Sequence, residues 1–212
     1  MIMFKAFIFD MDGVIVDNTS FQIQSWKKLL KKYAVNFEDE EILQQTLGRK
    51  AEEIIIHFFK TKEANIIEQL KEERFRIYKS LSKQKLELIS GLINFLKLLK
   101  KNKKLVLLAS SGSKKSVNFI LSKFDLRKYF NIIITGESVI KAKPNPQIYL
   151  LASKKSGFEP KECVVFEDSP AGIKAAKKAG INCIGILTSY NKLEKTLFNI
   201  KNFTEIKKSI LD

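Results

Sequence analysis

Five short apolar runs, spaced out by longer amphipathic stretches, constrain this chain more than any other feature of its sequence. The runs at residues 6–9, 105–109, 132–135, 164–166 and 183–186 are apolar on both alternating faces. That pattern suits strands buried on two sides. Between them, residues 92–101, 116–123, 146–156 and 171–179 repeat their apolar positions at helical spacing. Gly157 and Gly180 stand where two of these helices should stop. Parallel strands need crossovers of about this length. The expectation is an α/β fold: a parallel sheet with helices on both faces.

One stretch breaks the alternation. From Thr19 to Ser82 there is only helical periodicity, with helices expected at 21–32, 38–45, 51–60 and 63–80. This insert falls between the first and second strands of the sheet. The predicted layout is a core of residues 1–15 and 84–212, interrupted by a helical unit of residues 16–83. No low-complexity linker or internal repeat accompanies it.

Composition narrows the class. The 212 residues are 45% hydrophobic, with no apolar run long enough to span a bilayer. The opening run 1–9 leads straight into acidic residues without a small-residue cleavage site. It reads as a buried strand rather than a signal peptide, which makes the cytoplasm the default address. Cys163 and Cys183 sit in separate apolar runs, and one histidine cannot complete a zinc site with them, so both are expected as buried, reduced thiols. The formal charge of +15 comes from 34 lysines and only four arginines, Arg49, Arg74, Arg76 and Arg127. Scattered lysines at helical spacing are solvated faces, whereas nucleic-acid readers favour arginine at base and phosphate contacts. No nucleic-acid or membrane partner is expected. The positive potential favours the arrival of small anions.

Ligands of open α/β sheets bind beyond the carboxyl ends of the strands, so the residues that follow each strand carry the argument. Asp10-Met11-Asp12-Gly13 follows the first, Ser110-Ser111-Gly112 the second, Lys141-Ala142-Lys143-Pro144 comes after the third, and Glu167-Asp168-Ser169 after the fourth. Asp10 and Asp12, two residues apart at a turn that Gly13 permits, repel unless a cation offsets them. With Glu167 and Asp168 they form an oxygen-rich cluster of the kind that holds Mg²⁺.

These pieces, FDMDGV (9–14), LLASSG (107–112), KAKPNPQIY (141–149) and FEDSPAGIKAAKKAG (166–180), occur in the order and spacing of the haloacid dehalogenase superfamily. The chain resembles its helical-capped branch, which includes β-phosphoglucomutase and many sugar-phosphate phosphatases. The resemblance implies a Rossmann-like core, a cap domain and phosphoryl transfer. In that scheme Asp10 is the nucleophile that forms an aspartyl-phosphate, and Asp12 is the general acid and base. Mg²⁺ rests on Asp10, the Asp12 carbonyl and Asp168, with Glu167 supporting it. Ser110 and Lys143 hold the phosphoryl oxygens. Ser111, Gly112, Arg49 and Gln22 are the candidate substrate contacts.

The cap separates two activities. β-Phosphoglucomutase-like enzymes place a histidine a dozen residues after the nucleophile and an arginine three residues past a cap glycine. Here those positions hold Gln22 and Ala51, and Arg49 directly follows Gly48. The expectation is therefore a monomeric, Mg²⁺-dependent phosphatase for a small phosphorylated metabolite, such as a sugar phosphate. A sugar-phosphate mutase is the alternative, ahead of a pyrophosphatase, a basic nucleic-acid-binding module or a scaffold without activity. His57, in an apolar stretch, is expected to pack within the cap. Ser113, Lys114 and Lys115 either touch substrate or begin the next helix. The cluster Lys100, Lys101, Lys103 and Lys104 suits a helix C-terminus.

Overall fold

A computed structural model describes residues 3–46 and 48–211, leaving Met1 and Ile2 of the opening apolar run outside it. Six strands form one parallel sheet: β1 (Ala6–Phe9), β4 (Leu105–Ala109), β5 (Ile132–Ile134), β6 (Cys163–Glu167), β7 (Asn182–Ile186) and β8 (Asn199–Ile200). Their spatial order is β5-β4-β1-β6-β7-β8, with β1 between β4 and β6. This is the Rossmann-like α/β architecture. Phe9, the last residue of β1, lies level with Leu108 and Phe166, so the ends of three strands share one rim.

The two faces of β1 explain the layering. Phe7 and Phe9 point to one side, where Phe95 of α5 (Leu92–Lys101), Val117 of α6 (Lys114–Lys123), Phe166 and Phe203 pack. Phe9 stacks on Phe166 at 4.7 Å. Ala6 and Ile8 face the opposite side, against α7 (Gln147–Ser156) and α8 (Pro170–Lys178). Small side chains there, such as Ala152, Ala175 and Ala176, let the helices approach closely. Cys163 and Cys183 are buried, free thiols on this side.

The element boundaries differ from expectation by one or two residues, for local reasons. Ser113 accepts a hydrogen bond from the Ser116 amide and so starts α6 at Lys114, ahead of the predicted Ser116. Ser113 is thus a cap residue, and it also lines the cleft described below. Thr135 leaves β5 to cap a 3-10 turn at Gly136–Ser138. Gly157 and Gly180 both adopt the left-handed conformation after their helices. The last turn of α5 carries Lys100 and Lys101. Two-residue strands had no signal of their own: β8, and the antiparallel pair β2 (Val16–Asp17) and β3 (Glu87–Leu88).

Four helices lie between β2 and β3: α1 (Thr19–Lys32), α2 (Asp39–Thr46), α3 (Ala51–Phe59) and α4 (Ala64–Ser82). They bury a hydrophobic cluster of their own, built from Trp26, Leu29 and Leu30, Ile42, Ile54, Ile55 and Phe58, and Ile67 and Leu70. His57 pairs with Glu41 of α2 at 2.7 Å. Among the described residues, no helix is long and apolar enough to cross a membrane.

Candidate active site

The chain leaves β1 at Asp10, whose amide donates to the Phe166 carbonyl of β6 at 3.1 Å. It then turns through Met11–Val16, and Gly13 is needed there twice over. Its φ is +71°, and a Cβ at that position would stand 2.0 Å from Asp168 Oδ2. The backbone of one strand loop thus passes directly over a carboxylate from another. Thr188, beyond β7, donates to the Gly13 carbonyl at 2.6 Å.

Lys143 is the electrostatic centre. Its ammonium is fully buried and donates to Asp10 Oδ1 and to Glu167 Oε1, both at 2.7 Å. Burial disfavours that charge, but the Asp10 and Glu167 carboxylates more than offset it and hold the lysine above its ordinary pKa. Glu167 is fixed on every side: Oε1 also accepts from Tyr149 at 2.6 Å, while Oε2 accepts from the Asp168 amide and from the amide and hydroxyl of Ser169. Five donors on one carboxylate make a rigid bracket for Lys143. Ser169 also caps α8 through the Gly172 amide, which ties that bracket to the helix.

Asp10 and Asp168 are less well compensated. Burial pushes the Asp10 carboxyl up to about 7, against the pull of Lys143 and with help from Glu167 and Asp12. Asp168 is raised well above its ordinary value by burial, then by Glu167 and Asp10, and its side-chain donor among the described residues is the hydroxyl of Ser189. Oxygens of Asp10, Glu167 and Asp168 lie within 4.8 Å of one another. A hard, all-oxygen set with surplus negative charge fits Mg²⁺ well. Asp10 and Asp168 have coordination capacity to spare, whereas the oxygens of Glu167 are taken by protein donors.

Ser110, at the end of β4, is buried. Its oxygen accepts from the Gly112 amide at 3.0 Å, which leaves its own proton to give away. Ser111 donates to the Gly48 carbonyl at 2.8 Å, joining the rim of the sheet to the loop between α2 and α3. Lys50 reaches the carbonyls of Val139 and Ile140, in the loop that carries Lys143.

A cleft of about 180 Å³ lies between the rim and the four helices. Asp10, Asp12, Asp168, Ser111 and Gly112 line it from below, and Gln22 and Ala51 of the helices, with Arg49 of the loop between α2 and α3, line it from the other side. Lys71 and Lys115 also reach it, but pair with Glu68 and Glu72. Among the described residues, Arg49 and Arg74 are its cations without a carboxylate partner. Gln22 is bound at both ends: its amide nitrogen donates to Asp12 Oδ1 at 2.8 Å, and its oxygen accepts from Arg74. Asn18 donates to the same Asp12 oxygen and to Tyr78 at 2.8 Å.

Sequence reasoning gave no site role to Asn18, Arg74, Tyr149, Ser169 or Ser189. Arg74 had a signal: it sits four residues after Leu70 on the buried face of α4, a position the helical period reserves for apolar side chains.

The chain matches the family model for haloacid dehalogenase-like hydrolases over residues 7–186. It is 31% identical over 193 residues to a phosphorylated carbohydrates phosphatase of Thermotoga maritima, covering 88% of this chain and 87% of that one. To a beta-phosphoglucomutase of Bacillus subtilis it is 30% identical over 190 residues, covering 86% and 83%. A solved haloacid dehalogenase hydrolase of family IA, variant 3, from Entamoeba histolytica superposes with a TM-score of 0.85 at 29% identity, over 98% of this chain and 97% of that one. The chain belongs to the haloacid dehalogenase-like hydrolase family.

Proposed function

We propose that this protein is a Mg²⁺-dependent phosphatase that hydrolyses a small phosphomonoester, a sugar phosphate in the first instance, through an aspartyl-phosphate on Asp10. The observation that carries this reading is the buried Lys143 bridging Glu167 and Asp10, the latter of which lines the cleft. A carboxylate whose orientation is fixed in advance by a buried cation suits in-line attack on an anionic phosphoryl group.

Each residue has a defined part. An Asp10 carboxylate oxygen forms the bond to phosphorus as the bond to the leaving oxygen breaks, and Asp12 gives that oxygen its proton. A water then attacks the phosphoryl group and loses its proton to Asp12, which releases phosphate and restores the Asp10 carboxylate. Ser110 and Lys143 donate to phosphoryl oxygens throughout. The carboxylates of Asp10 and Asp168, with the Asp12 main-chain carbonyl, would hold Mg²⁺, which when bound would supply positive charge to offset that of the phosphoryl group. Residues 16–83 act as a cap over a core of residues 1–15 and 84–212. Their separate hydrophobic cluster and the Ser111–Gly48 contact at the rim support that division. Arg49, in the cleft and without a carboxylate partner, grips the substrate away from the scissile bond. All of these groups come from one chain, consistent with a monomer acting on a small metabolite.

Hydrolysis is favoured over a mutase reaction by the cap. Gln22 is committed to Asp12 and Arg74, and Ala51 offers no charge for the second phosphate of a bisphosphate. The test is to incubate the protein with Mg²⁺ and a panel of sugar phosphates, pyrophosphate and β-glucose 1-phosphate with a bisphosphate primer. Phosphate release that disappears with EDTA and in Asp10→Asn supports the phosphatase. Glucose 6-phosphate forming with little free phosphate establishes the mutase instead. Asp10→Asn retaining wild-type turnover overturns the nucleophile.

A further inference from the structure

We infer that a lysine-walled groove between α8 and the segment after β7 is a second anion site, which takes a small ligand carrying a chain of phosphates. No residue lines both this groove and the catalytic cleft. The site therefore stands apart from the phosphatase reading and does not depend on it.

The groove has a volume of about 680 Å³, in the range of small-molecule sites. A second hollow of about 450 Å³ continues it, and Lys177 and Lys195 line both. Lys174, Lys177 and Lys178 recur along α8 at the helical period and form one wall. Lys192 and Lys195 come from the segment between β7 and β8 and form the other. Ile173 and Leu193, both part of the buried cluster beneath, close the floor. By periodicity alone the α8 lysines are a solvated face. The fold changes that by bringing a second set of lysines up opposite them.

Charge selects the ligand. Five ammoniums line the groove against a single carboxylate, that of Glu194, which lies 3.7 Å from Lys192. Among the described residues the other four lysines have no carboxylate partner, whereas Lys5, Lys27 and Lys32 elsewhere on the surface each have one. The catalytic cleft is the reverse, with six carboxylates lining it against four cations. A concave surface of one sign focuses its potential inward. Like charges held near one another repel, and an anion with several charges relieves them together. The use of lysine rather than arginine matters too. An ammonium is a point charge without the planar fork that fits one carboxylate or phosphate in two places. Affinity then follows the number of charges on the ligand more than their arrangement. No aromatic side chain lines either hollow, so the groove lacks the stacking surface that single-stranded nucleic acids use. A hollow of this size with an aliphatic floor suits a compact polyphosphate, either inorganic or carried on a nucleoside whose base rests against Ile173 and Leu193.

The test is to titrate the whole chain with tripolyphosphate, ATP and inorganic phosphate, in EDTA and at low salt, and to locate binding by amide NMR. Tripolyphosphate and ATP are expected to shift the resonances of residues 170–178 and 192–197, and to bind at least about tenfold more tightly than phosphate. An ammonium about 4 Å from one phosphate charge in water is worth about fivefold in affinity. Lys177→Gln combined with Lys195→Gln should therefore weaken tripolyphosphate by about tenfold or more. Lys100→Gln with Lys101→Gln, on α5 at the other face of the sheet, removes the same net charge and should change affinity by less than about twofold. Asp10→Asn should leave it unaltered. Equal affinities for tripolyphosphate and ATP make the phosphate chain the whole ligand, and tighter ATP adds the base to it; both uphold the site. The inference is overturned if neither polyphosphate binds, if the shifts are confined to residues around Asp10 and Ser110, or if the two lysine pairs lose affinity equally. Binding of a single-stranded oligonucleotide or of anionic vesicles, where the small polyphosphates do not bind, overturns it as well.

Discussion

Replacing Gly172 with alanine sets two local rules against each other. Gly172 lies in the first turn of α8 with ordinary helical backbone, so alanine is conformationally welcome. Helix propensity alone favours the change by up to about 1 kcal/mol. The added methyl, however, would stand 1.8 Å from Oε1 and 1.9 Å from Cδ of Glu167. No rotation relieves that overlap, because Glu167 is held by Lys143, Tyr149, Ser169 and the Asp168 amide. Either the carboxylate leaves Lys143 or α8 lifts from its place against β6. Breaking a buried ion pair from one side costs about 3–5 kcal/mol, so the net loss is about 2–4 kcal/mol. For a chain of this length that lowers Tm by roughly 5–15 °C. Thermal and urea unfolding of Gly172→Ala beside wild type measures it, and turnover should fall with stability as Lys143 loses its bracket. A variant as stable as wild type, with full activity, would refute the account of Glu167.

Removal of metal should show in the pH dependence of stability. Asp10 in the folded chain sits near pH 7 against 3.8 ordinarily, and Asp168 shifts the same way. Between those values the folded state binds more protons than the unfolded, so stability in EDTA falls as pH rises from about 4 to 7. Glu73, Glu137 and Glu162 are lowered, and their contribution is lost only as pH drops below about 4.5, at the acid edge of that window. The Tm gained on adding Mg²⁺ should then be larger at pH 8 than at pH 5; an equal gain at both would count against a Mg²⁺ site at these carboxylates. Arg49→Ala should raise KM several-fold for the preferred sugar phosphate and leave a nitrophenyl ester nearly unaffected. Equal effects on the two would make Arg49 a packing residue.

What could be read from the sequence was whatever has a local cause. Strand ends were legible because buried strands must alternate with crossovers, and the residues after β1, β4 and β6 therefore had to meet at one rim. The helix at 92–101 was legible from its periodicity alone, and the one expected at 51–60 differs by a single residue. What escaped has long-range causes. Whether Asn18 serves α1 or Asp12 depends on where Tyr78 arrives, sixty residues later. Tyr149 looks like any apolar position of α7 until Glu167 is placed beside its hydroxyl. Ser189 gains its meaning only when the loop after β7 folds back over Asp168. Two-residue strands such as β8 carry too few side chains for a period to emerge.

The charges around the rim say why these carboxylates suit a dication better than another lysine. Asp10, Asp12, Glu167 and Asp168 bring four negative charges, and the buried cations among them are Lys143 and Arg74. Lys143 is shared by Asp10 and Glu167, and Arg74 reaches Asp12 only through Gln22, so the shortfall of two charges falls on Asp10 and Asp168. Those are the two carboxyls whose pKa values burial lifts most clearly. A third basic side chain could relieve one of them, but it would need a long stem where Gly13 already passes within contact of Asp168. A small dication needs no stem, and it can bind a phosphoryl oxygen at the same time. The close approach of Gly13 and the uncompensated pair of aspartates are thus one feature of the site, and both suit the proposed Mg²⁺.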